Sequence, residues 1–96
     1  MMVVVVYDIA VSTKAGAARL QKVCKKCLDR GVRVQESVFE CQLNADQYRR
    51  LKEELSHIID PKHDSLRFYL LGNRYQNRIE KLGQQTMTWD RETYVI

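Results

Sequence analysis

The chain opens on Met1-Met2-Val3-Val4-Val5-Val6-Tyr7-Asp8, an unbroken apolar run that delivers one carboxylate to its far end. Consecutive valines are stiff at the first side-chain torsion and suit a pleated strand, and the run is too short for a helix of ordinary length. Because it does not alternate with polar residues, the strand is expected to be covered on both faces and to lie centrally in its sheet. Asp8 is then fixed at the mouth of a central strand, ahead of a basic helix. Such a carboxylate either begins the helix or holds a metal that acts on a polyanion, and this segment by itself favours the first.

Ninety-six residues, 45% hydrophobic and 29% charged, predict one globular domain over 1–96, with a core at 1–73 and a tail at 74–96. The composition excludes a disordered chain, and no apolar stretch is long enough to span a bilayer. A domain this small leaves much of its surface wet, so self-association is a natural way to bury more of it. No basic region precedes the valines, so a signal peptide is not expected, and a cytoplasmic setting with no membrane partner is.

The three cysteines fit a reducing compartment. Cys24-Lys25-Lys26-Cys27 has the spacing of a zinc or redox motif, but no second ligand pair completes a tetrahedral site. On a helix the two thiols share an apolar stripe with Leu20, Val23 and Leu28, and Cys41 fills a strand position, so all three are expected to be small core hydrophobes. His57 and His63 flank Pro61 without metal-ligand spacing.

Net charge is +4, and its distribution is uneven. Residues 1–35 contain seven lysines and arginines against only Asp8 and Asp29, so the excess is N-terminal. Arg19, Lys22, Lys26 and Arg30 recur at helical spacing and form one basic stripe. With few acids on the same helix, the stripe is weighed evenly between a solvated face and a surface for a phosphate backbone.

The first helix is expected from a Ser12 or Thr13 cap to about Asp29, where Gly31 stops it. From Val32 to Leu43 the apolar positions change from even to odd numbers, so two short strands with a turn near Glu36-Ser37 are predicted. Asn44 and Gln47 form a capping box for a second helix with Tyr48, Leu51, Leu55, Ile58 and Ile59 inward, ending at Asp60-Pro61. Ser65 to Leu71 reads as the next strand, apolar on both faces except for Arg67. The order β-α-β-β-α-β is the ferredoxin-like α+β pattern. Its first and last strands are expected to lie centrally, with a second copy of the chain covering the helix-free face. The tail carries a weak helical pattern around Tyr75, Ile79 and Leu82, and Tyr94-Val95-Ile96 reads as a short additional strand that joins the dimer.

Val-Val-Tyr7-Asp8-Ile9, the helix with Arg19-Leu20, the stretch Arg33 to Glu40 and Asp64 to Tyr69 together resemble the CRISPR-associated protein 2 family across nearly the whole chain. Asp64 to Gly72, with the preceding Ile-Ile-Asp-Pro, looks like the branch that accompanies type I-C systems. The resemblance implies a ferredoxin-like homodimer that partners the CRISPR integrase during spacer capture and, in many members, a metal-dependent endonuclease acting on DNA or RNA. Its characteristic acid matches Asp8, which as a pair from two subunits would hold Mg²⁺ or Mn²⁺, since Mg²⁺ keeps several waters and needs only one or two carboxylates. Arg19 and Arg33 match positions suited to phosphate, joining Lys22 and Lys26 of the stripe as expected nucleic-acid contacts. Tyr7, Ser37 and Phe39 match supporting positions, with packing the stronger reading for Tyr7 and Phe39. The segment Ala10 to Ala18 is poorer in arginine than many relatives, which weakens the expectation of further basic contacts near Asp8.

Two functions therefore compete: a divalent-metal phosphodiesterase built on Asp8, and a non-catalytic adaptor dimer that holds DNA for the integrase while Asp8 caps the first helix. A single-strand RNA-binding module is disfavoured, because the strand after the first helix lacks the aromatic stacking positions of such domains.

Overall fold

In the computed structural model of the protein, which describes residues 1–84, the valine run forms β1 (Met2–Asp8). Helix α1 (Lys14–Arg30), strands β2 (Val32–Gln35) and β3 (Val38–Gln42), helix α2 (Ala45–Ile58) and strand β4 (Ser65–Gly72) follow, and then a single 3-10 turn, Tyr75–Arg78. The sheet order is β2-β3-β1-β4 with every neighbouring pair antiparallel. This is the ferredoxin-like α+β arrangement expected from the sequence. The weak helical pattern of the tail yields no more than that 3-10 turn, and the added strand expected at Tyr94 to Ile96 lies outside the described residues.

Each boundary has a local cause. Thr13 is the α1 cap, its Oγ1 accepting the Gly16 amide at 3.0 Å. Gly16 is required for space, since a β-carbon there would lie 1.9 Å from the Ala10 carbonyl oxygen. Gly31 ends α1 in extended geometry, φ −162°, so its glycine character serves packing: a β-carbon would meet Cys41 Sγ at 2.4 Å. The turn at Glu36-Ser37 separates β2 from β3 as the parity change required. At α2 both halves of the capping box form, Gln47 N donating to Asn44 Oδ1 at 2.8 Å and Asn44 N to Gln47 Oε1 at 2.9 Å.

One expectation is corrected. β1 is central, but its companion is β3, and β4 lies at the sheet edge. Each helical crossover skips one strand position: α1 carries the chain past the place that β3 later fills, and α2 carries it from β3 past β1. The last strand must then finish outside β1. Its apolar residues divide accordingly, Leu66 and Phe68 packing on the core while Tyr69 and Leu70 stay 47% and 54% exposed.

The core lies between the helices and one face of the sheet. Val3, Val5 and Tyr7 of β1, Phe39 and Cys41 of β3, Val23, Cys24 and Cys27 of α1, and Leu51 and Leu55 of α2 are buried there. Val5 is flanked in register by Phe39 and Phe68, and Tyr48 of α2 meets Phe68 edge-on at 5.6 Å. The thiols behave as small hydrophobes, burial above all pushing Cys27 up to about 12 and Cys41 up to about 11.

Candidate metal centre and its surroundings

The other face of the sheet carries no helix. In register across it run Val38, Val6 and Arg67, then Glu40, Val4 and Tyr69, and at the end of β1 Asp8 lies opposite Ser65. Strand alternation puts Asp8 on this open face, because Tyr7 before it points into the core. The Asp8 side chain is exposed, and no described residue gives it a hydrogen bond or ion pair. It does not cap α1, a role taken by Thr13. Among the described residues no group of three His, Cys, Asp or Glu side chains converges as a metal cage around Asp8. On the same face, two residues beyond its cross-strand partner Ser65, Arg67 donates from Nη1 to Tyr69 Oη at 3.2 Å.

The backbone that presents Asp8 is held from behind by Asp64. This carboxylate accepts the Ala10 amide at 3.0 Å and Arg19 Nη2 at 3.3 Å on Oδ1, and the Asp60 amide at 2.8 Å and Arg19 Nε at 2.7 Å on Oδ2. Burial works against its charge, but the bonds from Arg19 and from the Asp60 and Ala10 amides outweigh that and hold its pKa down at about 2. The sequence offered little to single out Asp64, since an acid directly before an apolar strand reads as an ordinary turn residue.

Tyr7, Phe39 and Arg33 come together, but on the helix side of the sheet, and Ser37 joins them through its backbone in the β2–β3 turn. The Tyr7 and Phe39 rings stack with centroids 6.1 Å apart, and Tyr7 donates its amide to the Ser37 carbonyl at 3.1 Å. Burial first, then the neighbouring Cys24 thiol, pushes the Tyr7 phenol upward, so it stays protonated. The Arg33 guanidinium lies 5.3 Å from the Phe39 ring centroid and donates from Nη2 to Cys24 Sγ, while its Nε is enclosed without a partner. Arg33 is thus drawn into the core and away from Asp8.

The basic stripe divides in the same way. Arg19 is committed to Asp64, and Lys26 and Arg30 reach Glu54 of α2 at 2.9 and 3.8 Å. The compensating acids that α1 lacks are supplied by other elements, which a helical projection of α1 cannot reveal. Lys22 stays exposed, and with Ala18, Gln21, Lys25 and Leu28 it lines an open groove of about 490 Å³. The exposed α1 cations without an acidic partner among the described residues are Lys14, Lys22 and Lys25, on the opposite side of the sheet from Asp8.

A ferredoxin-like domain with one unpaired carboxylate at the end of its central strand is the class that fold and site define. The chain belongs to the CRISPR associated protein Cas2 family, whose characteristic sequence matches residues 1–79. A relative from Halalkalibacterium halodurans named CRISPR-associated endonuclease Cas2 is 47% identical over 83 residues, covering 86% of each chain. Another, from Chlorobaculum tepidum and named CRISPR-associated endoribonuclease Cas2, has the same identity and coverage. The crystal structure of Streptococcus pyogenes Cas2 at pH 6.5 is similar with a TM-score of 0.75 and 52% identity, over 86% of this chain and 100% of that one. Among the described residues no helix is long and apolar enough to cross a membrane.

Proposed function

We propose that this chain is a divalent-metal-dependent endonuclease that cleaves DNA or RNA phosphodiesters, working as a homodimer beside the CRISPR integrase in spacer acquisition. The observation that carries the reading is Asp8, an exposed carboxylate without a partner at the end of β1 on the helix-free face. The residues fit Mg²⁺ better than a caged metal. Mg²⁺ dehydrates reluctantly and is commonly held by one or two carboxylates and water, and a solitary acid per subunit supplies two in a dimer. Mn²⁺ shares that preference for oxygen ligands. When bound, the ion supplies water activation and charge neutralisation at a phosphodiester. Asp8 of each subunit would hold it, and Arg67, on the same face, is placed to meet a phosphate oxygen.

The open face also supports the dimer, since Val4, Val6 and Val38 form an apolar centre on it. The substrate stays undivided between DNA and RNA, because relatives carry both endonuclease and endoribonuclease names and backbone contacts are common to the two. We place the chain in the type I-C branch on Asp64 to Gly72 and the preceding Ile-Ile-Asp-Pro.

The test is Asp8→Asn, which keeps side-chain size and removes the ligand charge. Metal-dependent cleavage of DNA and RNA should fall by about 100-fold or more, as expected for loss of several kcal/mol of transition-state stabilisation, with the dimer unchanged by sedimentation. Wild-type cleavage by the variant in matched metal would end the enzyme reading and point to a contaminating nuclease.

A second reading has its own support. Lys14, Lys22 and Lys25 lie across the sheet from Asp8, so a duplex bound on them is held away from the carboxylate. That arrangement suits an adaptor that carries DNA for the integrase without cutting it.

A further inference from the structure

Arg19 was expected to touch phosphate, but its guanidinium is turned inward. Its side chain is 19% exposed, and Nε and Nη2 are both spent on the Asp64 carboxylate, whose side chain is wholly enclosed. The Asp64 side chain joins three segments that are distant in sequence: α1 through Arg19, the exit of β1 through the Ala10 amide, and the loop before β4 through the Asp60 amide. Asp8 adjoins that hub along the backbone of both strands. It is two residues before Ala10, and its cross-strand partner Ser65 immediately follows Asp64. Resting on the reading of Asp8 as a metal ligand, we propose that Asp64 and Arg19 are positioning residues that fix the end of β1, so that the Asp8 carboxylate is presented in one place.

The physical requirement is strict. Ligand distances in a metal site tolerate only a few tenths of an ångström, and groups that orient a ligand from behind commonly matter about 10-fold or more to metal affinity. Asp8 has no side-chain bond that holds it, so its position depends on the backbone. That backbone leaves the sheet at Asp8 and is next secured at Ala10. An amide in place of the Asp64 carboxylate has one acceptor oxygen and turns an NH₂ toward donors that were satisfied before, so the Ala10 and Asp60 amides or the Arg19 fork must give way.

Mn²⁺ binding to the full-length protein, followed by the spin-resonance signal of the free ion, tests this without relying on turnover. Asp64→Asn and Arg19→Lys, each verified as folded at the titration temperature, should bind Mn²⁺ about 10-fold more weakly than the wild type. Their affinity for duplex DNA without metal, and the salt dependence of that affinity, should be unchanged. Unaltered Mn²⁺ affinity with only a lower melting temperature would reduce Asp64 to a structural residue and overturn the inference. So would a flattened salt slope in Arg19→Gln, which would make Arg19 a phosphate contact. If Asp64→Asn does not fold, Arg19→Lys decides, because it retains one charged donor for Asp64. Asp8→Asn in the same titration separates the two failures. If that variant binds Mn²⁺ like the wild type, the metal reading itself is wrong; if it loses the ion while Asp64→Asn keeps it, only the positioning role falls.

Discussion

The two faces of β1 carry nearly the same side chains and have opposite fates. Val3, Val5 and Tyr7 are packed under both helices, whereas Val4 and Val6 are half-buried on a face with no helix and lead to exposed Asp8. The difference is one of cover. On the packed face burial drives Tyr7 and Cys27 to their neutral forms. On the open face the Asp8 carboxylate stays exposed and open to a ligand. A single strand thus separates packed side chains from an exposed carboxylate by parity alone.

The contrast is sharpest for stability. Phe39 is fully buried beside Val5 and Tyr7, so Phe39→Ala should cost about 3–5 kcal/mol by chemical denaturation. Val6→Ala, on the other face, should cost roughly 1 kcal/mol at protein concentrations where the chain is monomeric. The Val6 penalty should grow with concentration if a second copy covers that face. Equal, concentration-independent costs would mean that the two faces are not different environments at all.

The same parity explains what the sequence could and could not disclose. The elements were legible because each has a local signal: Thr13 before α1, the capping box of Asn44 and Gln47, and the phase change around Glu36-Ser37. Asp8 was legible as the one charge on an apolar run. The valine run hid its own alternation, since identical side chains on both faces look the same whether or not a helix lies above them. The edge position of β4 also escaped, because topology rather than composition decides it. Arg19, Lys26 and Arg30 read as one stripe, yet their partners Asp64 and Glu54 are far along the chain, and no spacing rule on α1 reports an acid delivered by another element.

Acid should narrow the gap between the faces by loosening the hub behind Asp8. The Asp64 carboxyl is held at about 2 in the folded protein against an ordinary value of 3.8. A depressed carboxylate contributes stability that is complete above its unfolded pKa and is lost as pH falls through the folded one. The difference in unfolding free energy between wild type and Asp64→Asn should therefore be constant above pH 5 or so, and shrink between the two values that bound the shift. A difference that persists undiminished at pH 2 would mean that charge on Asp64 is not what holds the loops.

The smallest effect is expected on the outer surface of α1, where the contrast concerns binding and not folding. Lys22 and Lys25 are exposed beside the groove lined by Ala18 and Leu28, whereas Lys26, the next residue, is paired with Glu54. Lys22→Gln with Lys25→Gln should leave stability within about 0.5 kcal/mol, as for surface changes away from packed features. The pair should reduce the dependence of duplex affinity on salt by roughly one unit per lost phosphate contact, because each contact releases a condensed counterion. Lys26→Gln should change that slope less, since its ammonium is already 2.9 Å from a carboxylate and exchanges one partner for another. Equal slopes for all three variants would place the nucleic acid elsewhere, with the open face and Arg67 the next surface to probe. A loss confined to Lys22 and Lys25 would mean that duplex binding lies across the sheet from Asp8, as the adaptor reading requires.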